Sequence, residues 1–134
     1  MHPVVLLQDA LVGALRADAV LAPLIGQGVF DAPPKGRKPP YVVLARHDLI
    51  QRDADLVPGH EHRLLLHCWS DQPSRRAAVE IAEGVVAVAL ALSVPGLVVS
   101  SVEHVRTDTV IDSKTGWARA AVSLRVMSEV EAAT

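Results

Sequence analysis

The densest concentration of chemically capable side chains lies at residues 59–69, Gly59-His60-Glu61-His62-Arg63-Leu64-Leu65-Leu66-His67-Cys68-Trp69. Read as a strand, it places His60, His62, Leu64, Leu66 and Cys68 on one face. Imidazole and thiolate are zinc ligands. The spacing works against a shared ion, because residues 60 and 68 would stand roughly 27 Å apart at about 3.4 Å per residue. Only His60 and His62 can meet one ion, and the nearby sequence supplies no obvious further ligand. The alternative is a strand with polar residues where it leaves a loop and a buried apolar end, with Cys68 as a small core side chain. Acid–base work by His47-Asp48, Asp53 and Asp55 with His60 or His62 is a second chemical option. Asp53 and Asp55 belong to the polar run 51–59, which reads as a solvated hairpin connection. Cys68 as a nucleophile needs a base and a depressed pKa, and His67 points to the opposite strand face. The expectation is no catalytic residue, no metal ligand and no cofactor.

Two other clusters carry charge. Pro34-Lys35-Gly36-Arg37-Lys38 is superficially like a phosphate-binding loop, but it lacks the first glycine and the Ser or Thr after lysine. It fits a basic loop leading into a strand, able to meet acidic partner surfaces or passing DNA. Glu103, Asp108 and Asp112 do not have the spacing of a calcium loop and read as a charged hairpin tip. No dinucleotide fingerprint, nucleophile elbow or paired-cysteine motif is present.

Positioning these groups requires a fold whose core is aliphatic. Half of the 134 residues are hydrophobic, yet Phe30, Tyr41, Trp69 and Trp117 are the only Phe, Tyr or Trp. The length suits one domain over residues 1–134. A net charge of −2 gives no global signature for nucleic acid or an anionic membrane. With Cys68 alone, an intramolecular disulfide is impossible, which fits a reducing compartment. The most apolar stretch, 85–99, is interrupted by Ser93, Pro95 and Gly96 and falls short of the roughly 20 residues of a membrane span. Synthesis in the cytosol is expected, with no membrane partner.

Periodicity supplies the elements. Val5, Leu6, Ala10, Leu11 and Leu15 recur at helical spacing, and Pro3 is tolerated in a first turn. Asp18 caps a short turn over 19–24, and Val29–Asp31 reads as an edge strand. Four prolines in residues 32–40 exclude helix and central strand. Strands follow at 41–50 and 62–69, joined as a long hairpin. Ser70 or Asp71 is expected to cap a helix whose first turn holds Pro73 and Ser74. Its second half, 85–92, is apolar all round and so calls for cover on two sides, the second expected from another subunit. Strands at 97–109 and 118–128 end the chain. In the last, Ala118, Ala120, Val122, Leu124 and Val126 face one side, the pattern of a sheet covered on one face. The expected class is α+β, a single antiparallel sheet with helices packed on one face.

The order of landmarks is itself informative. Leu7-Gln8-Asp9-Ala10-Leu11, Leu15-Arg16-Ala17-Asp18-Ala19-Val20-Leu21, Gly28-Val29-Phe30-Asp31-Ala32-Pro33-Pro34, Pro40-Tyr41-Val42-Val43-Leu44, Glu61–Ser70 and Ile81-Ala82 follow one another in a run that resembles the tail-terminator and tail-completion proteins of long-tailed phages, prophages and gene transfer agents. The resemblance covers nearly the whole chain. It implies a tail-terminator-like α+β subunit without catalytic residues. Such subunits form a hexameric ring that ends the tail tube, docks to the head-side connector or stopper and passes double-stranded DNA through its lumen without sequence specificity. It implies a place at the tail–head junction of a phage-like particle assembled in the bacterial cytoplasm. Candidate partner or DNA-channel contacts are then Lys35, Arg37, Lys38, Lys114 and Trp117. The competing readings are a small α+β ligand-binding or regulatory module with a pocket between helix and sheet, and a metal-dependent hydrolase built on His60 and His62.

Overall fold

A computed structural model describes residues 1–53 and 59–131. Helix α1, Pro3–Ala17, starts on His2, whose ring Nδ1 accepts the Val4 N–H at 3.1 Å, with Pro3 at the first helical position. Leu7, Leu11 and Leu15 form its buried stripe. Asp18 Oδ2 accepts the Leu21 N–H at 3.0 Å and stabilises the turn into α2, Ala22–Ile25. Strand β1 is only Val29–Phe30, followed after the Pro-rich loop by β2, Tyr41–Gln51, and β3, Gly59–Ser70. Helix α3, Arg75–Leu90, leads to β4, Leu97–Ile111, and β5, Ala118–Val130.

The five strands lie in the order β1-β2-β3-β5-β4. The four long strands pair antiparallel as expected, but β1 joins β2 in parallel through Val29↔Val42 and Phe30↔Val43, so the sheet is mixed. A two-residue strand needs only a short return path, and the loop over 31–40 provides it where a longer parallel pair needs a full crossover. The two hairpins meet through β3 and β5, which places β3 at the centre.

One sheet face carries the helices. Val42 and Leu44, Leu64, Leu66 and Cys68, and Ala120, Val122, Leu124 and Val126 are all buried there against α1 and α3. The alternation expected for β5 and for the His60–Cys68 face is present. Helix α3 begins after Pro73, one turn later than expected. Ser74 is extended at φ −136°, ψ 116° and makes no side-chain cap, while Ser70 Oγ accepts the Gln72 N–H in the connecting turn. The residue preceding a proline is steered away from helical backbone, which keeps Gln72 out of the helix.

The chain itself supplies part of the second cover of α3. Val85 and Ala89 are buried, and Leu21, itself fully buried, lies over Gly84 so closely that a Cβ there would be 2.6 Å from Leu21 Cδ2. The segment between α1 and α2 thus covers α3 at Gly84, whereas Ala87 and Ala91 of the apolar stretch 85–92 stay exposed. Leu90 stays about half exposed.

Candidate functional site

Three regions collect the functional groups. At the end of the sheet where α1 starts, His47, His60 and His62 approach one another, with His2 near enough to act on His47 and His62. A bulge at Ala45 shifts the β2 register, so that Leu44 faces Leu66 while Arg46 faces Leu65 and His47 faces Leu64. Without the extra residue Arg46 would turn inward; with it, His47 does. His47 Nε2 and His62 Nδ1 then share a hydrogen bond of 2.8 Å, and His62 Nε2 lies 2.9 Å from Ser128 Oγ on β5. His60 stands edge-on to His62 with ring centroids 6.5 Å apart. His62 has no exposed surface. Burial, then the neighbouring His47, pushes its pKa down to about 4. Burial also lowers that of His47, against the opposing pull of Asp48.

This Ser-His-His chain has the look of a relay without the chemistry of one. Ser128 is 2% exposed, so no substrate carbonyl can approach its hydroxyl. A histidine titrating near 4 is a weak base at neutral pH. No group of three His, Cys, Asp or Glu able to hold a metal converges among the described residues. Of the acidic candidates, Asp48 pairs with Arg46 at 2.8 Å and Asp53 Oδ1 accepts from the Gln51 amide at 2.8 Å; Asp55 lies outside the described residues.

Cys68 is fully buried on the helix-covered face, and burial pushes its thiol up to about 12. His67 points to the other face, as expected, with its own pKa lowered by burial and then by Arg119. The native chain is therefore expected to leave a disulfide thiol reagent unreacted over a period in which the denatured chain consumes one equivalent. Comparable rates in the two states would show Cys68 to be accessible.

The helix-free sheet face is a charge lattice. Asp48, Arg63, Arg125 and Glu103 form one cross-strand row over β2, β3, β5 and β4. Glu61, 1% exposed, takes Arg63 at 2.6 Å, Arg52 at 3.3 Å and Arg125 at 3.5 Å. Its carboxyl is held below the usual range first by the Arg63 hydrogen bond. Glu103 meets Arg125 at 3.8 Å, and Asp108 meets Arg106 at 2.8 Å and Arg119 at 3.8 Å. Glu103 and Asp108 are thus spent on arginines. Asp112 instead accepts the Lys114 and Thr115 N–H groups in the β4–β5 turn.

The third region gathers every Phe, Tyr and Trp of the chain. Tyr41 opens β2 and Trp69 is the last residue but one of β3, and the hairpin register puts them opposite each other. Phe30 packs edge-on to Tyr41 at 6.1 Å, and Trp117 edge-on to Trp69 at 6.5 Å. The Arg37 guanidinium lies 5.2 Å from the Phe30 ring centroid and that of Arg119 6.0 Å from Trp69, within reach of cation–π attraction. Gly28 leaves room for Arg37: a Cβ there would lie 2.9 Å from Arg37 Nη2. A groove of about 490 Å3 is lined by Pro34, Gly36, Arg37, Lys38, Tyr41 and Trp117. Of the candidate contacts named from sequence, Arg37, Lys38 and Trp117 share this groove. Lys35 sits on the same loop, exposed, and Lys114 on the turn that leads to Trp117. Sequence reasoning omitted Tyr41, Trp69 and Arg119 from this set, although the expected 41–50/62–69 hairpin already implied the Tyr41–Trp69 pair.

Residues 9–129 match the protein family described as Tail completion protein gp17. The chain belongs to that family. A chain from a solved structure, the virion of a native gene transfer agent particle, superposes with a TM-score of 0.83 at 26% identity, over 94% of this chain and 96% of that one. No curated protein matches significantly. The tail-completion chain is thus a structural component of a phage-type tail with an α+β fold, as its landmarks led one to expect.

Proposed function

We propose that this tail-completion protein is a non-catalytic ring subunit, hexameric in the finished particle, that ends the tail tube and joins it to the head-side connector. The observation that carries this reading is the end-to-end likeness to a chain of an assembled gene transfer agent particle. A ring at the tail–head junction must let double-stranded DNA pass without holding it. The helix-free sheet face suits such a wall. Arg46, Arg63, Arg106 and Arg125 would grip phosphates if free, but each is engaged by Asp48, Glu61, Glu103 or Asp108. Paired charge keeps the surface hydrated while muting its pull on DNA. The buried Ser-His-His cluster and the inert thiol supply no competing catalytic reading. Nor does the layer between helices and sheet favour a small-ligand module: aliphatic side chains fill its centre, and the groove of about 290 Å3 between α3 and β4 is lined mainly by Val79, Ala82 and Val86, with few polar groups to orient a ligand.

Native mass spectrometry of the purified chain, alone and with the tail-tube protein of the same particle, tests the proposal. The expected result is a closed hexamer that forms with rising concentration or on contact with tube ends, with DNA neither required nor retained. A chain that stays monomeric at high concentration and binds neither tube nor connector protein would overturn it.

A further inference from the structure

We propose that the basic–aromatic end of the sheet is the docking surface for an acidic, partly apolar segment of a different protein in the particle. This rests on the reading of the chain as a particle subunit and adds which end makes the contact and what chemistry it meets. Two observations separate this end from the rest of the surface. The first is free charge. The arginines of the sheet face are spent on carboxylates, whereas Lys35, Arg37, Lys38 and Lys114 make no ion pair among the described residues. In a chain of net charge −2, Arg37 and Lys38 line the groove and Lys35 and Lys114 lie on the two loops beside it; Asp71 and Asp112 at the same end offset only part of that charge, and the local excess calls for anionic groups across from it.

The second observation is aromatic. Trp117 and Trp69 are only partly buried beside that groove. Duplex DNA held without sequence preference needs cations spaced along phosphates and offers no exposed base to a tryptophan. Tryptophan, tyrosine and arginine around a groove are instead the composition of protein–protein hot spots. The loop carrying Arg37 and Lys38 contains Pro33, Pro34, Pro39 and Pro40 and lies along Phe30 through Arg37. It is already stiff, so binding orders little further chain. The opposite end of β5 carries Glu129 and Glu131, both exposed, so the two ends differ in charge and are suited to different neighbours.

The experiment places a photo-crosslinking amino acid singly at Lys38, at Trp117, at Val5 on the exposed face of α1 and at Glu129, in chains assembled into particles, and maps the adducts by mass spectrometry. Positions 38 and 117 are expected to join an acidic segment of a second protein. A Lys38→Glu/Lys114→Glu chain, shown by circular dichroism to be folded, is expected to enter particles about tenfold less well. Adducts from 38 and 117 on DNA, or on another copy of this chain, overturn the proposal in favour of those occupants. Adducts from 5 or 129 with none from 38 or 117, or undiminished entry of the charge-reversed chain, overturn it as well. If no variant enters particles while the unmodified chain is also absent from them, the ring reading itself fails, and this proposal with it.

Discussion

Acidification from neutral pH to pH 4 is expected to remove about 3 kcal/mol of folding stability through His62 alone. In the folded chain burial and the His47 ring beside it push the His62 pKa down from 6.5 to about 4. The unfolded chain takes up its proton near 6.5, the folded chain only near 4. Between those values the unfolded state holds more protons, so stability falls as pH falls, and the contribution is complete only above 6.5. His47, also lowered, adds to the same slope. The groups around His62 are His47 from β2, His60 from β3, Ser128 from β5 and His2 at the start of α1; Asp48, on the other sheet face, raises only the pKa of His47 and so offsets part of that residue's share. Urea unfolding at pH 7 and pH 5 avoids most carboxylate titration and should show about 2 kcal/mol of the loss. A His62→Gln chain, able to keep hydrogen bonds to both His47 and Ser128, should have a visibly flatter profile. A profile as steep as the parent's would mean that His62 is not the group responsible.

That histidine cluster also shows where sequence reading stops. The face shared by His60, His62, Leu64, Leu66 and Cys68 follows from strand alternation, and the structure has it. The meeting of His47 with His62 does not follow, because it depends on the extra residue at Ala45. Alternation carried straight through β2 would send Arg46 inward and His47 outward. Nothing in the local sequence marks that bulge, which answers to the need to keep a guanidinium out of the core. The hairpins were legible for a simpler reason: each consists of two apolar-alternating runs about a polar turn, and local pairing settles them. The order β1-β2-β3-β5-β4 was not, since it is decided by which faces two finished hairpins and a helix can bury together. The clustering of all four aromatic residues at one end lies between these cases. Tyr41 with Trp69 follows from the hairpin, but Trp117 joins them only because β5 docks on β3.

The cover over α3 yields the other large effect. Leu21→Ala is expected to destabilise the chain by about 2–5 kcal/mol, the range for a fully buried leucine. Gly84→Ala alone is expected to cost about 1–3 kcal/mol by overpacking against Leu21. Leu21 lies where a methyl group on residue 84 would go, and its own full burial restricts its movement. Alanine is otherwise favoured over glycine inside a helix by about 1 kcal/mol. The sign of the glycine substitution should therefore depend on residue 21. In the Leu21→Ala background the clash is gone, the new methyl fills part of the cavity and the helix preference is released, so Gly84→Ala should now stabilise. A thermodynamic cycle over the four chains, followed by urea unfolding, reads this directly as a coupling between residues 63 positions apart in sequence. Additive effects would mean that Leu21 does not hold α3 at this point. The reversal of sign would instead establish that the segment between α1 and α2 closes the core over α3 at Gly84 within one chain.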